Sequence, residues 1–403
     1  MSRRARTTVI GLSLVVVFTV ALGGVLGRTA GDGAYKQLTV FSEVLTRIQT
    51  DYVEDPNLQR VTRNALRGLL ESLDPYSGYL SPKEYDEYKV RQTAPAEGEV
   101  GLVLSKRFGL VSVVTVLPES PAARAGLVTG DILESIAGFS SREMSVEQAY
   151  LFLEGEPGTS VRVNVVRQAR AEPREIDLVR ARLRPAQVLS DRLEENIAYM
   201  KIAGFESGRA QEVRAALERL RGRGLRKLVL DLRDAATGEM EEAVETARLL
   251  LPRGMIAYLE GQQYQRHQFT AESEKALWEG PLTVLINNGT AGAAEVVAAA
   301  VLDNGRGEVI GQRSYGVGSV QKVIPLENGA ALILSVAKVY RPSGTAIQDE
   351  AVTPTLEVEL TGERQVGPYT LPPPGDPVLL KALEVLRAQE TAQPERESSR
   401  KAA

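Results

Sequence analysis

Between residues 181 and 360 short apolar runs alternate with longer helical patterns, and that alternation restricts the chain more than any other feature. Leu228-Val-Leu-Asp-Leu232 and Leu282-Thr-Val-Leu-Ile286 are short and almost wholly apolar, the pattern of strands buried on both faces. Ile197–Ile202 reads as a further strand. Helical spacing fills the gaps. Val213, Ala216, Leu217 and Leu220 share one face downstream of Ser207, the expected cap; a second helix runs through Leu249-Leu-Leu251, and a third covers Glu295–Leu302. Strands and helices in this order build an α/β core.

Upstream the pattern differs. Phe41, Val44, Leu45 and Ile48 follow the i, i+3, i+4, i+7 spacing of one helix face. A second helix fits Leu58 to Leu73 and stops at Asp74-Pro75, where proline forbids continuation. Residues 31–34 and 92–98 read as linkers. From Val100 the signal turns to short β-rich runs, Gly101–Leu104, Leu110–Val116 and Val161–Val166, and this small unit closes near Arg180. After residue 371 a Pro-rich link leads to a helix near Val378–Arg387 and a charged tail expected to be disordered.

The 403 residues leave room for two or three domains, and a composition of 43% hydrophobic and 25% charged residues is that of a globular chain. A net charge of −4 carries no footprint for nucleic acid. The basic run Arg219, Arg221, Arg223, Arg226 and Lys227 reads as a solvated helix end, where cations suit the macrodipole. Without cysteine, disulfides, thiolate metal sites and a cysteine nucleophile are excluded. His267, the only histidine, sits in a polar stretch and reads as a surface residue. No metal-ligand cluster, P-loop or complete dinucleotide fingerprint is visible, so no metal or cofactor is expected.

At the N-terminus Arg3, Arg4 and Arg6 precede an uncharged run from Thr7 to Gly27. A bilayer-crossing helix needs about 20 such residues. The basic flank puts the N-terminus in the cytoplasm and the bulk of the chain on the periplasmic side of the inner membrane. A signal peptide cleaved near Leu26-Gly-Arg-Thr-Ala30 is the alternative. The run exceeds the usual apolar core of about 7–15 residues, which favours an uncleaved single-pass anchor.

Residues 98–180 carry Gly101-Leu102-Val103, Ser120-Pro121-Ala122, Ala125-Gly126-Leu127, Gly130-Asp131-Ile132-Leu133 and Gly155-Glu-Pro-Gly158-Thr159. On these motifs the segment resembles a PDZ domain of bacterial processing proteases. The resemblance implies that peptide or protein C-termini are partners. Backbone N–H groups at a glycine turn hold a terminal carboxylate, and the peptide adds to the sheet edge. Gly101 would allow close backbone approach, and Leu102 and Val103 would line an apolar pocket. A PDZ-like fold serving only as a structural arm is the alternative.

Further motifs lie outside that module. Leu73-Asp-Pro-Tyr-Ser77, Tyr199-Met-Lys-Ile-Ala-Gly-Phe205, Gly318-Ser-Val-Gln321 and Tyr340-Arg-Pro-Ser-Gly344 together resemble the carboxyl-terminal processing proteases of the S41 serine peptidase family. The resemblance covers about residues 35–360 and implies an α/β, S41 protease-type core (ClpP/crotonase-like) with an inserted PDZ domain, preceded here by an N-terminal transmembrane helix. The expected organisation is an anchor at 7–27, a helical region at 35–97, the PDZ domain at 98–180, the peptidase-like core at 181–360, and a C-terminal helix and tail at 361–403.

Active members of the family use a serine nucleophile and a lysine base. A hydroxyl is a weak nucleophile until a base takes its proton, and a lysine can do so only as a neutral amine. The family's Ser-Ala-Ser-Ala-Ser-Glu is here Thr290-Ala-Gly-Ala-Ala-Glu295, which puts Gly292 at the nucleophile position. The family's Phe-Gly-Lys-Gly-Ser-Val-Gln is here Tyr315-Gly-Val-Gly-Ser-Val-Gln321, which puts Val317 at the base and keeps Gln321. The Asn-Pro-Gly-Gly turn that helps form the oxyanion hole is replaced by Asp234-Ala-Ala-Thr-Gly238, so Gly238 and Ala293 mark the oxyanion-hole region. Glycine has no side-chain oxygen and valine accepts no proton, so no catalytic residue is intact.

The favoured reading is a catalytically inactive S41 homologue that binds exported polypeptides or C-termini, with an active protease relative as a further partner. The alternative is a working endopeptidase with a relocated nucleophile such as Thr290, with Lys338 approaching from another strand as its base; Lys322, five residues after Val317, would face the opposite side of a regular strand. A purely structural subunit is a third.

Overall fold

The computed structural model describes residues 32–401 except 95–96, 108, 168–171, 195 and 360–368. The expected anchor at 7–27 lies outside the described residues. Among the described residues no helix is long and apolar enough to cross a membrane. The chain divides into two units, Met1–Leu66 and Arg67–Ala403.

The first unit holds helix α1, Asp32–Asp51, and the start of helix α2, Leu58–Glu71. Residues 32–34, read as linker, are helical. The stripe read from spacing has Leu45 and Ile48 half-buried, whereas Phe41 and Val44 are exposed.

In the second unit, strand β1, Gly78–Leu80, precedes helix α3, Pro82–Thr93, so the linker expected from residue 92 starts late. Its sequence is too polar to advertise a helix. The N-terminus is set by a capping box in which the Glu84 carboxylate accepts from the Ser81 amide at 2.8 Å and hydroxyl at 2.7 Å.

The PDZ-like module follows. It comprises β2, Leu102–Arg107; β3, Leu110–Val116; helix α4, Pro121–Arg124; β4, Ile132–Ile136; β5, Phe139–Ser140; helix α5, Val146–Leu153; β6, Ser160–Val166; and β7, Arg174–Val179. The sheet order is β2-β3-β4-β6-β7, which leaves β2 on an edge. Period-2 alternation sends Val161, Val163 and Val165 into the module's core beside Val113, Leu133 and Ile136. Asp131, fully buried, accepts from the Val128 amide at 2.9 Å and from Arg167, which fixes the Gly-Asp turn. Chain leading into the module pairs with the loop between α5 and β6 and with chain leaving the module. Gly98 and Gly155 exchange amide-to-carbonyl bonds at 2.9 Å, and Glu99 and Ala181 do so at 3.0 and 2.9 Å.

The core continues with β8, Leu189–Glu194; β9, Ile197–Lys201; helix α6, Arg209–Gly222; β10, Lys227–Asp231; helix α7, Met240–Leu250; β11, Met255–Glu260; β12, His267–Thr270; β13, Leu282–Ile286; helix α8, Ala293–Asp303; β14, Glu308–Gly311; β15, Ser319–Pro325; β16, Ala331–Tyr340; helix α9, Ile347–Glu350; β17, Leu356–Glu357; and helix α10, Pro377–Lys401. One sheet has the order β17-β14-β13-β10-β9-β8, parallel except for β8. Alternate residues of β10 and β13 serve two cores. Leu228, Leu230, Val284 and Ile286 pack with α6, α7 and α8, while Val229 and Leu285 pack with Val378, Leu379 and Leu386 of α10. Burial on both faces is why these strands read as unbroken apolar runs. A second, antiparallel sheet has the order β1-β16-β11-β12, with β15 also on β16.

Several readings need correction. Ser207 does not cap α6. Gly208 takes the N-cap at φ +87°, and Glu242 of α7 accepts from the Gly208 and Ala210 amides, both at 2.8 Å. A carboxylate from another helix satisfies the open donors instead of a local hydroxyl. Lys227 leaves the solvated basic run, being buried on β10 with its ammonium donating to the Leu386 carbonyl at 2.9 Å. Helix α10 runs past Arg387 to Lys401, so the expected disordered tail is helical there. His267 is exposed, as expected, and meets Phe269 edge-on at 4.6 Å.

One polar group ties these layers together. Asp231 is fully buried at the end of β10, where it accepts from Tyr199 on β9 at 2.8 Å and from the guanidinium of Arg233. Arg233 also donates to Asp376 at 2.6 Å, just before α10. Burial alone would raise the Asp231 pKa, yet Arg233 and Lys201 overcome it and hold the carboxyl at about 2. Replacing Arg233→Ala leaves that charge buried without its partner and should cost about 3–5 kcal/mol in urea unfolding. A loss below about 1 kcal/mol would refute the assignment.

Candidate functional site

The site begins where β13 ends. Asn287 turns the chain: its side-chain oxygen accepts from the Gly289 and Asp234 amides at 3.0 Å, and its amide donates to Asp234 at 2.9 Å. Thr290 is fully buried, its hydroxyl donating to the Leu232 carbonyl at 2.8 Å and accepting from the Asn287 amide at 3.0 Å. Gly292 then caps α8 with φ +59° and ψ −119°, a conformation that favours glycine.

Glu295, fully buried on the first turn of α8, holds two loops together. Its carboxylate accepts from the Gly292 amide at 2.9 Å, the Gly316 amide at 2.8 Å, the Val317 amide at 2.7 Å and the Ser314 hydroxyl. Tyr76, from the Leu73–Ser77 motif, reaches the same loop and donates to the Gly316 carbonyl at 3.3 Å. In the sequence Glu295 stands only as the close of the Thr290–Glu295 motif and the start of a helix. The signal for more was its place three residues after the cap, the spacing of a capping box.

Gly292 and Val317, 25 positions apart, are neighbours. A Cβ built on Gly292 would stand 4.0 Å from Val317 Cγ1, with nothing nearer. Space for a small side chain is therefore present, and what lies beside it is a methyl group. Gln321 is exposed on β15 and donates to Ser319 at 2.7 Å. Lys322 is exposed on the same strand, and Lys338 is half-buried opposite Ser319 on β16.

The turn at Asp234–Gly238 packs against this loop. Ala235 O accepts from the Ala291 amide at 2.8 Å. At Gly238, φ +98°, a Cβ would lie 2.0 Å from the Phe205 carbonyl carbon, so only glycine fits. Ala293 is buried on the first turn of α8. On the PDZ-like side the Thr115 hydroxyl donates to the Asp234 carbonyl at 3.2 Å, which ties β3 to the turn.

The groove residues separate. Gly101 has φ +80°, and a Cβ there would meet Ser120 Cβ at 2.2 Å. Leu102 packs into the module's core. Val103 lines a cavity of about 360 Å³ together with Leu104, Tyr150, Ala236, Val317 and Gln321. One cavity thus runs from the open edge of β2 to the Val317 loop. Tyr150 carried no sequence signal and Leu104 only that of a strand residue, because only the docking of α5 beside β2 brings them together.

Comparison with known proteins fits this architecture. Residues 196–358 match peptidase family S41, and residues 112–167 match a PDZ domain. The chain is 33% identical over 334 residues to the carboxy-terminal-processing protease of Bartonella bacilliformis, covering 81% of this chain and 76% of that protein. The chain belongs to the carboxy-terminal processing protease family of S41 peptidases. The carboxy-terminal processing protease CtpA of Bacillus subtilis is 27% identical over 355 residues, covering 88% of this chain and 76% of that one. The solved photosystem II D1 C-terminal processing protease superposes with a TM-score of 0.67 at 27% identity, covering 80% of this chain and 92% of that chain. In this S41 member, then, the mixed α/β core carries a PDZ domain.

Burial raises the Glu295 pKa from the ordinary 4.5 to about 7, against the pull of its four donors. The folded protein therefore keeps this proton to higher pH than the unfolded chain does. Its contribution is full below about pH 4.5 and is lost as pH rises through about 7, an effect on the order of 3 kcal/mol. Glu295→Gln should remove that step from the pH profile of urea unfolding, and should also destabilise, because the amide turns a donor toward backbone donors. An unchanged pH slope in this variant would refute the assignment.

Proposed function

We propose that this family member is a membrane-anchored pseudoprotease that holds exported polypeptides or their C-termini without cutting them. The observation carrying the reading is the pairing at the start of α8: the positions that resemble the family's nucleophile and base adjoin each other, and they are Gly292 and Val317. A backbone arranged for a nucleophile and base therefore carries no hydroxyl and no amine. Glu295 supports the same register by binding the amides of both positions at once.

The relocated nucleophile is disfavoured by burial. The Thr290 hydroxyl is spent on the Leu232 carbonyl and the Asn287 amide and has no face toward the cavity. The peptide-binding half of the reading rests on the open edge of β2 and on the cavity leading from it to Val317. Anchoring rests on the uncharged run from Thr7 to Gly27 behind three arginines, which directs the rest of the chain to the periplasmic side. An active protease relative is the further partner of this reading, engaged by a chain that binds the same polypeptides but leaves them whole.

The test is a cleavage assay on the purified full chain with an unstructured fluorogenic peptide. The wild type should give no turnover above buffer. Gly292→Ser/Val317→Lys should gain measurable hydrolysis that neither single change confers, since nucleophile and base act as a unit. Gly292→Ser alone should fold with a loss on the order of 1–3 kcal/mol from its positive φ. Wild-type turnover that tracks the protein through purification would overturn the reading, and its loss in Thr290→Ala would hand the site to the relocated nucleophile.

A further inference from the structure

The edge of β2 is the place where a bound peptide would pair, and one of its amides is already taken. The Leu104 N–H donates to the hydroxyl of Tyr150, on α5 across the groove, at 2.9 Å. Leu104 lies on the open side of an edge strand, so this is an amide the sheet itself leaves for a partner. Tyr150 also lines the cavity that leads toward Val317. Its ring therefore stands in the groove and its oxygen stands where a peptide carbonyl would be.

The ring is held from a third element. The Arg91 guanidinium, on α3, sits 5.0 Å from the Tyr150 ring centroid. Arg91 in turn donates to Glu147 at 2.6 Å and to both oxygens of Glu154 at 2.7 and 2.8 Å, gripping α5 at each end of the Tyr150 turn. A bidentate arginine of this kind fixes geometry as well as charge.

We infer that Tyr150 is a built-in latch on the peptide groove, occupying the Leu104 edge amide in place of a ligand and kept there by Arg91 of the preceding helix. The inference rests on the peptide-binding reading above. A peptide that adds to β2 must displace the hydroxyl, and moving the ring disturbs its contact with Arg91. Occupancy of the groove is thereby coupled to α3, outside the module.

The experiment uses the full chain in detergent and a fluorescein-labelled peptide ending in Leu-Ala-Ala with a free carboxylate, its C-terminal amide serving as control. Tyr150→Phe keeps the ring and removes the acceptor. It should bind the peptide about fivefold more tightly than wild type, the worth of one net hydrogen bond. Arg91→Gln should act in the same direction, and the double variant should gain less than the product of the two, because both release one latch. A second readout needs no ligand: amide exchange at Leu104 should quicken in Tyr150→Phe and slow again when peptide is added. Unchanged Leu104 exchange, or equal or weaker peptide binding by Tyr150→Phe, would overturn the latch. Quickened exchange with no binding by any form would overturn the peptide-binding reading, and the latch's role with it.

Discussion

The Glu295 carboxylate is the interaction on which the site depends. It is buried, and it gathers four donors from two loops, Gly292 at the start of α8 and Ser314, Gly316 and Val317 ahead of β15. No other described side chain joins these segments so directly. An uncompensated polar group at this depth costs several kcal/mol, so the loops are set by the need to satisfy the carboxylate. The turn at Gly292 and the loop at Val317 are thus held together although neither position carries a hydroxyl or an amine. The scaffold answers to Glu295 rather than to the side chains at 292 and 317.

The same reasoning explains how the PDZ domain meets the core. A two-way backbone bridge between Glu99 and Ala181 closes the insertion at its base, and Thr115 reaches the Asp234 turn from the module's own sheet. Two buried polar clusters, around Glu295 and around Asp231, lie at the carboxyl ends of adjacent parallel strands, where open α/β sheets place their functional loops. One cavity then joins the edge of β2 to the Val317 loop. Val103 of the PDZ domain and Val317 of the core thus line the same cavity.

Legibility in the sequence followed burial. β10 and β13 were readable because both faces are covered, which leaves an apolar run that no other structure needs. β3 and β6 were readable from β-rich composition and alternation. The hairpin of β15 and β16 does not read as strands, because the exposed Gln321 and Lys322 and the half-buried Ser335 break the pattern. Helix α3 was hidden by Lys83-Glu-Tyr-Asp-Glu-Tyr-Lys89, a polar stretch that becomes a helix through its cap and through Arg91, which grips α5. The Ser207 cap failed for a related reason: the donors at the start of α6 found Glu242, a residue no local rule could supply.

The sequence by itself determined the family, the residues standing at each motif position, and the absence of hydroxyl and amine at Gly292 and Val317, because these are matters of identity and spacing along one chain. Tertiary structure alone decided that the two positions adjoin, that Thr290 is sealed beneath the turn while Val103 faces the cavity, and that Tyr150 covers the Leu104 amide. Each of these depends on which loops a buried carboxylate draws together and which helix docks beside which strand. Such contacts arise between segments far apart in the chain, where burial and hydrogen-bond satisfaction act and sequence spacing carries no information.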